Sequence, residues 1–498
     1  MAHEHKLRTG ERELFSISFS FIRYVTFRGH GFIFIAMNNP AASAITDPAP
    51  TGPSASLPTR SLLRVLGVGF GLAVIIGSAI GAGILRTPGD VASYLPNRVL
   101  YLAVWVAGGI YALLGAFSLS ELGVMLPRSG GFYVFARRAL GEFGGFAMGW
   151  TDWLGQCGST AAVSMVVGEY AGDLIPALAG HTVLCAAAVI VGVALLQWHG
   201  IRTGSAFQNV TSVLKTLAFL ALVAAAFIFS HPAAPPVVTS LTSAEHSLWV
   251  ALILALQAVI YTYDGWYSVI YFGEEVRNPA HDIPRSMIYG VLALTAIYLL
   301  VNLALLHVLT LPRIAGQTMA MGTAAAAIFG SRGQTILQIL MIVSMLSGIN
   351  AYHLMASRVL FAMSKDGLLS HHASRVNPGG TPTVGLFLST VAALIFILSG
   401  KFEIVLAITA FYFVADYGVA YTSVFVLRWR EPDTPRPVRA WGYPWTTGIA
   451  WLGSLAFLIA AVKEDTRNSE YALLSLALSY PLYRLTGVIV RRQNAITS

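Results

Sequence analysis

Charge is what this chain has least of. Only 11% of its 498 residues are Asp, Glu, Lys or Arg, and 56% are hydrophobic. Soluble domains carry about 25% charged residues, so a soluble globular protein is excluded. The mean hydropathy of +0.67 says the same. Cysteine is almost absent: Cys157 and Cys185 are the two, both inside apolar stretches. That excludes a disulfide framework and a thiolate metal cluster; isolated cysteines in such stretches behave as small apolar residues. No metal-ligand spacing, nucleophile elbow or phosphate loop is present. Gly67-Val-Gly69-Phe-Gly71 looks like a glycine-rich loop, but it follows no strand and lies in an apolar run, so it is set aside. The loops between apolar runs leave no room for a soluble catalytic domain. An enzyme is therefore not expected, nor a cofactor or metal. A membrane sensor would carry a large signalling tail, and only about ten residues follow the last apolar run, with a span taken as ~20 residues.

What is there instead is a series of long apolar runs, each able to cross a bilayer. Windows of about 20 residues place twelve spans at 67–95, 99–126, 143–173, 182–198, 205–229, 247–272, 286–308, 334–360, 383–400, 403–427, 445–462 and 471–489. The chain reads as an all-α integral membrane protein in the lipid bilayer. The net charge of +8 does not require a nucleic-acid partner, because topology explains it. With the N-terminus inside, 23 of the 31 Lys and Arg fall in the tails and inward loops, seven fall in outward loops or their edges, and Lys215 lies within a span. Basic residues favour the cytoplasmic side. Both termini are therefore expected to be cytoplasmic, in a multi-pass protein of the cell membrane. Arg128, Arg137, Arg138, Arg428, Arg430, Arg436 and Arg439 form the densest internal basic set.

Residues 1–60 are expected to be a disordered cytoplasmic tail, 61–490 the membrane core and 491–498 a cytoplasmic C-terminal tail. The stretch 13–36 is apolar but broken by Arg23, Arg28 and His30 and lacks a clean cleavage site, so it does not read as a signal peptide. Met37 precedes an Ala/Ser/Thr/Pro-rich stretch reaching Pro58. Translation from Met37, with 1–36 an over-extended start, fits that pattern; peptides from 1–36 in a mass spectrum would exclude it.

Two spans are interrupted. The first carries Gly77-Ser78-Ala79-Ile80-Gly81-Ala82-Gly83 and then Pro88-Gly89; the sixth carries Tyr263-Asp264-Gly265-Trp266. Each helical glycine costs about 1 kcal/mol against alanine, and open backbone at bilayer depth is tolerated only where it is buried in protein or lines a cavity. Close helix packing is the other use of such glycines. Broken spans at matching places in two halves point to a substrate site. Spans one to five and six to ten would form a five-plus-five inverted repeat, with the last two appended. A break exposes N–H groups suited to a carboxylate and carbonyls suited to an ammonium or a cation. Ile76, Gly77, Ser78, Ala79, Ile80, Gly81, Ala82 and Gly83, with Tyr261, Thr262, Tyr263, Asp264, Gly265 and Trp266, could hold both charges of an amino acid.

Lys215 either snorkels to the interface or serves function, since an ammonium at this depth costs several kcal/mol. It could stand in for a sodium ion beside the broken helix. Asp264 either caps the second half-helix or meets a cationic substrate or a proton. Tyr261, Tyr263, Trp266 and Tyr267 are packing, or one of them is a gate. Glu121, Asp152, Glu169, His353 and Asp416 are paired within the bundle or relay protons.

These residues resemble the amino acid–polyamine–organocation (APC) transporters. Gly77 to Gly89 looks like that superfamily's first-helix motif. Ser120-Glu121 to Pro127-Arg-Ser129-Gly130-Gly131 is similar to the end of its second helix. Tyr263-Asp264-Gly265-Trp266, Glu274-Glu275-Val-Arg-Asn278-Pro279 and Ile283-Pro284-Arg285 resemble its sixth helix and inner loop. Ala356-Ser357-Arg358 to Asp366-Gly367 looks like the end of the eighth, and Thr381-Pro382 the entry to the ninth. The resemblance runs from about 62 to 490. Gln208-Asn209 to Lys215, with Asn350, brings it nearest to the L-type amino acid transporters and their bacterial relatives. It implies a LeuT-like fold with discontinuous helices 1 and 6, alternating access, and transport without sodium by exchange or proton symport. It maps the fifth-helix lysine that takes the place of sodium to Lys215, partnered by Ser344 or Ser347 and span-one carbonyls. It maps the gating aromatic to Tyr261, where large-neutral-substrate members often have phenylalanine; Tyr267 stands where several carry asparagine. Mammalian members join a glycoprotein through an outer-loop cysteine; 174–181 has none, so that partner is not expected. The implied substrate is an amino acid; a polyamine or cationic amino acid is the alternative, which Asp264, Asp152 and Glu169 keep open.

Overall fold

The computed structural model describes residues 61–81, 83–229, 247–399, 402–464 and 466–497. The tail expected at 1–60 lies outside them. Among the described residues every regular element is helical, and strand-like pairing is confined to three isolated bridges, Leu66 with Val276, Ser129 with Phe272 and Val376 with Pro382. Long continuous apolar runs favour this: a segment without water must have its backbone satisfied, which a helix does internally.

The helices in chain order are α1 (Val68–Ala79), α2 (Gly83–Tyr94), α3 (Arg98–Met125), α4 (Phe132–Leu174), α5 (Thr182–Trp198), α6 (Ile201–Phe229), α7 (Leu248–Tyr263), α8 (Pro279–Val308), the single turn α9 (Leu311–Ile314), α10 (Ala320–Phe329), α11 (Gly333–Lys365), α12 (Thr383–Leu398), α13 (Phe402–Arg430), α14 (Trp445–Glu464) and α15 (Thr466–Thr497). Seven helical stretches are long and apolar enough to cross a membrane, or eight if α1 and α2 count as one bent span. Three shorter apolar helices are α5, α7 and α12.

Local chemistry sets the ends. Asn97 caps α3, its side-chain oxygen accepting from the amides of Val99 at 2.8 Å and Leu100 at 3.2 Å. Pro279 opens α8, where its missing N–H costs nothing, and Asp282 sits in the first turn at the positive end of the helix. Gly141, with φ 85°, breaks α4, so the straight part of that helix begins next to the start expected at 143. The twelfth expected span, 471–489, falls inside the longer α15, which runs to Thr497.

Two features position the site. The first span bends by 52° between α1 and α2, because Ile80 leaves the helical region at φ −79°, ψ 98°. The α7 helix stops at Tyr263, Asp264 is non-helical at φ −51°, ψ 142°, and the chain resumes as a short 3₁₀ turn, Ser268–Tyr271. Helix α1 is surrounded by α6, α8 and α11, while α2 lies on α7. Helix α4 packs on α5, α11, α12 and α13, and α3 packs on α8.

Candidate functional site

The last carbonyls of a helix have no partner within it. At the end of α1 each is answered by a side chain from another helix. Lys215, from α6, donates to Gly77 O at 2.9 Å, Ile80 O at 2.7 Å and Ile76 O at 3.4 Å. Ser344, from α11, donates to Ile80 O at 2.9 Å. Tyr352, also from α11, donates to Ser78 O at 2.8 Å, and Tyr298, from α8, to Ala79 O at 3.0 Å. Lys215 is fully buried. What answers its charge is the negative end of α1, and the side chain does not reach out to an interface. Ser347 lies 3.5 Å from Gly77 O and donates to Ser344 O at 2.9 Å.

A buried amide network fixes α6 against α1 and α11. Gln208 donates to Ala73 O at 3.2 Å and accepts from Asn350 at 2.7 Å. Gln197 donates to the Asn350 side chain at 3.0 Å, and Ser212 to Ala73 O at 2.7 Å. A Cβ on Gly77 would stand 1.8 Å from Gln208 Nε2, so this approach exists only because residue 77 has no side chain.

The second break is tied to the first. Ser78 Oγ contacts Gly265 O at 3.1 Å and Ser268 Oγ at 2.8 Å. Thr87 and Thr262 share a hydroxyl contact of 2.7 Å, and Tyr298 donates to Thr262 O at 2.9 Å as well as to Ala79 O. Gly265 has φ 103°, and a Cβ there would meet Ser78 Oγ at 2.6 Å and Ala79 N at 2.9 Å. The phenol of Tyr417, on α13, donates to the carboxylate of Asp264.

Between the breaks lies a cavity of about 470 Å³. Gly77, Ser78, Ala79, Ile80, Gly81, Gly83, Tyr261, Thr262, Asp264 and Ser344 line it. Ile76 and Ser347 sit behind that wall. Ala82 lies outside the described residues. Three expected residues turn elsewhere. Tyr263 donates to Trp105 O at 3.1 Å. Trp266 packs under Tyr417 at 5.8 Å between ring centroids. Gly265 is the joint described above. Tyr261 is 40% exposed, so its ring is not locked in the core. Gly83, at the start of a helix whose first N–H groups have no partner within it, and Asp264 line the same space.

The sequence reading missed Tyr352, Gln257, Ser159, Phe413 and the exposed pair Arg86 and Asp90, all of which line the cavity. The signal for Tyr352 was present: Ser344, Gly348 and Tyr352 recur every four residues, which puts them on one helix face. Gln257 Oε1 has no hydrogen-bond partner among the described residues, leaving an acceptor beside the cavity.

Residues that do not line the cavity are tied by buried charge pairs. Glu275 and Arg358, both fully buried, pair at 2.9 and 3.1 Å. Leu66 exchanges backbone hydrogen bonds with Glu275 O at 2.9 Å and Arg277 N at 2.8 Å. Asp366 holds Arg128 at 2.6 Å, Arg137 at 3.2 Å and the Tyr133 phenol at 3.0 Å. Glu121, the second-helix acid, is engaged by Arg428 at 2.9 Å and by the Ala440 amide at 2.7 Å, so it is structural.

A bundle of apolar helices, broken twice beside a cavity that the breaks line, is the form of a multi-pass membrane transporter. The chain belongs to the amino acid permease family, whose pattern it matches over residues 71–472. That family transports amino acids and is not one of enzymes. Among its relatives is the serine/threonine exchanger SteT of Bacillus subtilis, 29% identical over 442 residues covering 85% of this chain and 97% of SteT. The b(0,+)-type amino acid transporter 1 of Homo sapiens is 26% identical over 394 residues, 76% of this chain and 79% of that protein. The Asc-type amino acid transporter 1 of Mus musculus is 26% identical over 398 residues, 76% and 73%.

Proposed function

We propose that this chain carries amino acids across the cell membrane by alternating access, without sodium. The arrangement we infer is twelve spans in a LeuT-like five-plus-five inverted repeat, with α1/α2 and α7 with its 3₁₀ turn as the discontinuous helices. In this reading the core occupies 61–490, both termini are cytoplasmic, the cavity faces outward, and the charge pairs away from it close the cytoplasmic end. No disulfide-linked partner is needed.

The substrate's carboxylate would meet the N–H groups around Gly81 and Gly83, where a helix N-terminus favours an anion. Its ammonium would meet the second lone pairs of the α1 carbonyls and the Asp264 side. Tyr261 would close over it. Ser159, Ala162, Val163, Val166 and Phe413 give the cavity a largely apolar wall, which suits a neutral side chain. The observation that carries the reading is Lys215, whose ammonium holds Gly77 O and Ile80 O at the lip of the cavity, where a sodium-driven carrier would need an ion. The driving partner is a second amino acid or protons.

A cationic amino acid or a polyamine is the second reading, and the carboxylates of Asp264 and Asp90 at the cavity favour it. The test is uptake of radiolabelled serine, leucine and arginine into proteoliposomes in sodium-free buffer, with and without internal amino acid. Uptake of serine or leucine unaffected by putrescine is expected. Uptake that requires sodium would overturn the reading, and putrescine transport would put the second one in its place.

A further inference from the structure

Two carboxylates lie deep in the bundle with no ion pair among the described residues. Asp152 on α4 is 0% exposed and Asp416 on α13 is 1% exposed. Asp152 Oδ1 accepts from the Tyr271 phenol at 2.8 Å and from Gln156 Nε2 at 3.0 Å. Its Oδ2 has no partner among the described residues, and neither has Gln156 Oε1 or Asp416 Oδ2. Gln156 is itself fully buried, and its amide also donates to the Tyr271 phenol at 3.2 Å. The three unpartnered acceptors lie on α4 and α13, which pack against each other; a Cβ on Gly155, three residues after Asp152, would stand 3.9 Å from Tyr412 Cβ, four residues before Asp416.

The groups around them do not supply a cation. Asp416 feels the charges of both Asp152 and Asp264. Tyr267 and Tyr271 feel Asp152 and Asp416, Tyr412 on α13 feels Asp416, and Cys157 on α4 feels Asp152. From α11 come Arg358, held by Glu275, and His353, whose Nε2 is 3.1 Å from Thr390 Oγ1 and whose Nδ1 is unpartnered. From α12 comes Ser389, bonded to Trp153 at 3.0 Å, and from α15 the Ala472 carbonyl, which receives Tyr412. No ion pair to Asp152, Asp264 or Asp416 exists among the described residues. Burying an uncompensated carboxylate costs several kcal/mol, and two interacting ones titrate as a unit.

We propose that Asp152 and Asp416 are a proton-binding site that loads when the amino acid binds, making the proton the co-transported ion. This rests on the transporter reading given above. One proton on the pair turns one bare acceptor into a donor toward another and removes one of the two negative charges. A metal ion fits less well, since no cluster of three or more His, Cys, Asp or Glu suited to one occurs among the described residues. The link to the cavity is short. Tyr271, which holds Asp152, belongs to the 3₁₀ turn that follows the α7 break. Tyr417, next to Asp416 in the chain, holds Asp264 inside that break. Filling the acid pair thus acts on the substrate site from both sides.

Calorimetry of the purified full chain tests this. Serine, leucine and arginine are titrated in phosphate and in Tris at one pH, and the heat difference between buffers counts the protons bound. The expected result is uptake of about one proton per amino acid at a pH where the pair starts empty. It should fall to near zero in Asp416→Asn and in Asp152→Asn with binding retained. In vesicles an inward proton gradient should drive uptake by the wild type and not by Asp416→Asn. If Asp152→Asn does not fold, Asp416→Asn decides alone; if neither folds, the wild-type count and its gradient-driven uptake decide. Binding heat with no proton count in the wild type, or a count unchanged in the Asn variants, overturns the site. So does tightening of binding when sodium chloride replaces choline chloride. Absence of both heat and uptake for all three amino acids would instead overturn the transporter reading.

Discussion

Lys215 shows how much one residue can do in a dry environment. Its ammonium holds two carbonyls of the α1 terminus at 2.7 and 2.9 Å, and hydrogen bonds to a charged group are worth about 1.5–3 kcal/mol each. Lys215→Ala should abolish most uptake, at least about ten-fold for a loss of ~1.4 kcal/mol, while the protein still inserts. Wild-type uptake rates in that variant would refute the assigned role. Tyr261 makes the contrasting case, because its ring is 40% exposed and truncation leaves no cavity in a packed core. Tyr261→Ala should reduce transport more than it weakens substrate binding, as read by uptake beside calorimetry. Equal losses in both would count against a gate.

At the scale of elements, the two breaks work as one unit because small residues let them touch. In Gly77→Ala the new methyl would need the space of Gln208 Nε2, 1.8 Å away. Such overpacking costs about 1–3 kcal/mol, and it would also displace the amide chain through Asn350. Gly81→Ala meets nothing within 4 Å. The expected outcome is a clear fall in melting temperature for Gly77→Ala and little change for Gly81→Ala. Matching shifts in the two variants would show that the Gln208 approach is unimportant. The glycine cluster announced that a break would occur, but which glycine serves packing and which faces the cavity depends on where α6 lies. No periodicity within residues 77–83 contains that information.

At the scale of the whole molecule, charge pairs tie the helices together away from the cavity, and in the proposed reading they close its cytoplasmic end. Glu275 and Arg358 form the deepest of these contacts. Removing one partner of a buried pair costs about 3–5 kcal/mol because the other charge is left uncompensated. Glu275→Gln should therefore weaken the sealed state. In a Leu66→Cys background, Leu66 being 2% exposed and backbone-paired to Glu275, the added cysteine should react faster with a maleimide when Glu275→Gln is present. Unchanged labelling would mean the seal does not depend on this pair.

The sequence by itself determined the helical class, the positions of the apolar runs and the two interruptions. Each is a local property: hydropathy over a window, or glycine and proline within one. It also marked Lys215 and Asp264, since a charge inside an apolar run stands out without any partner. The tertiary structure alone decided what those charges meet. It turned Tyr263 and Trp266 away from the cavity and brought Tyr352, Gln257 and Ser159 to it. It left one oxygen each of Asp152 and Asp416 without a partner among the described residues and satisfied Glu121 with arginines some three hundred residues away in the chain. Whether a buried polar atom is paired depends on neighbours from other helices, and no stretch of sequence carries its neighbours with it.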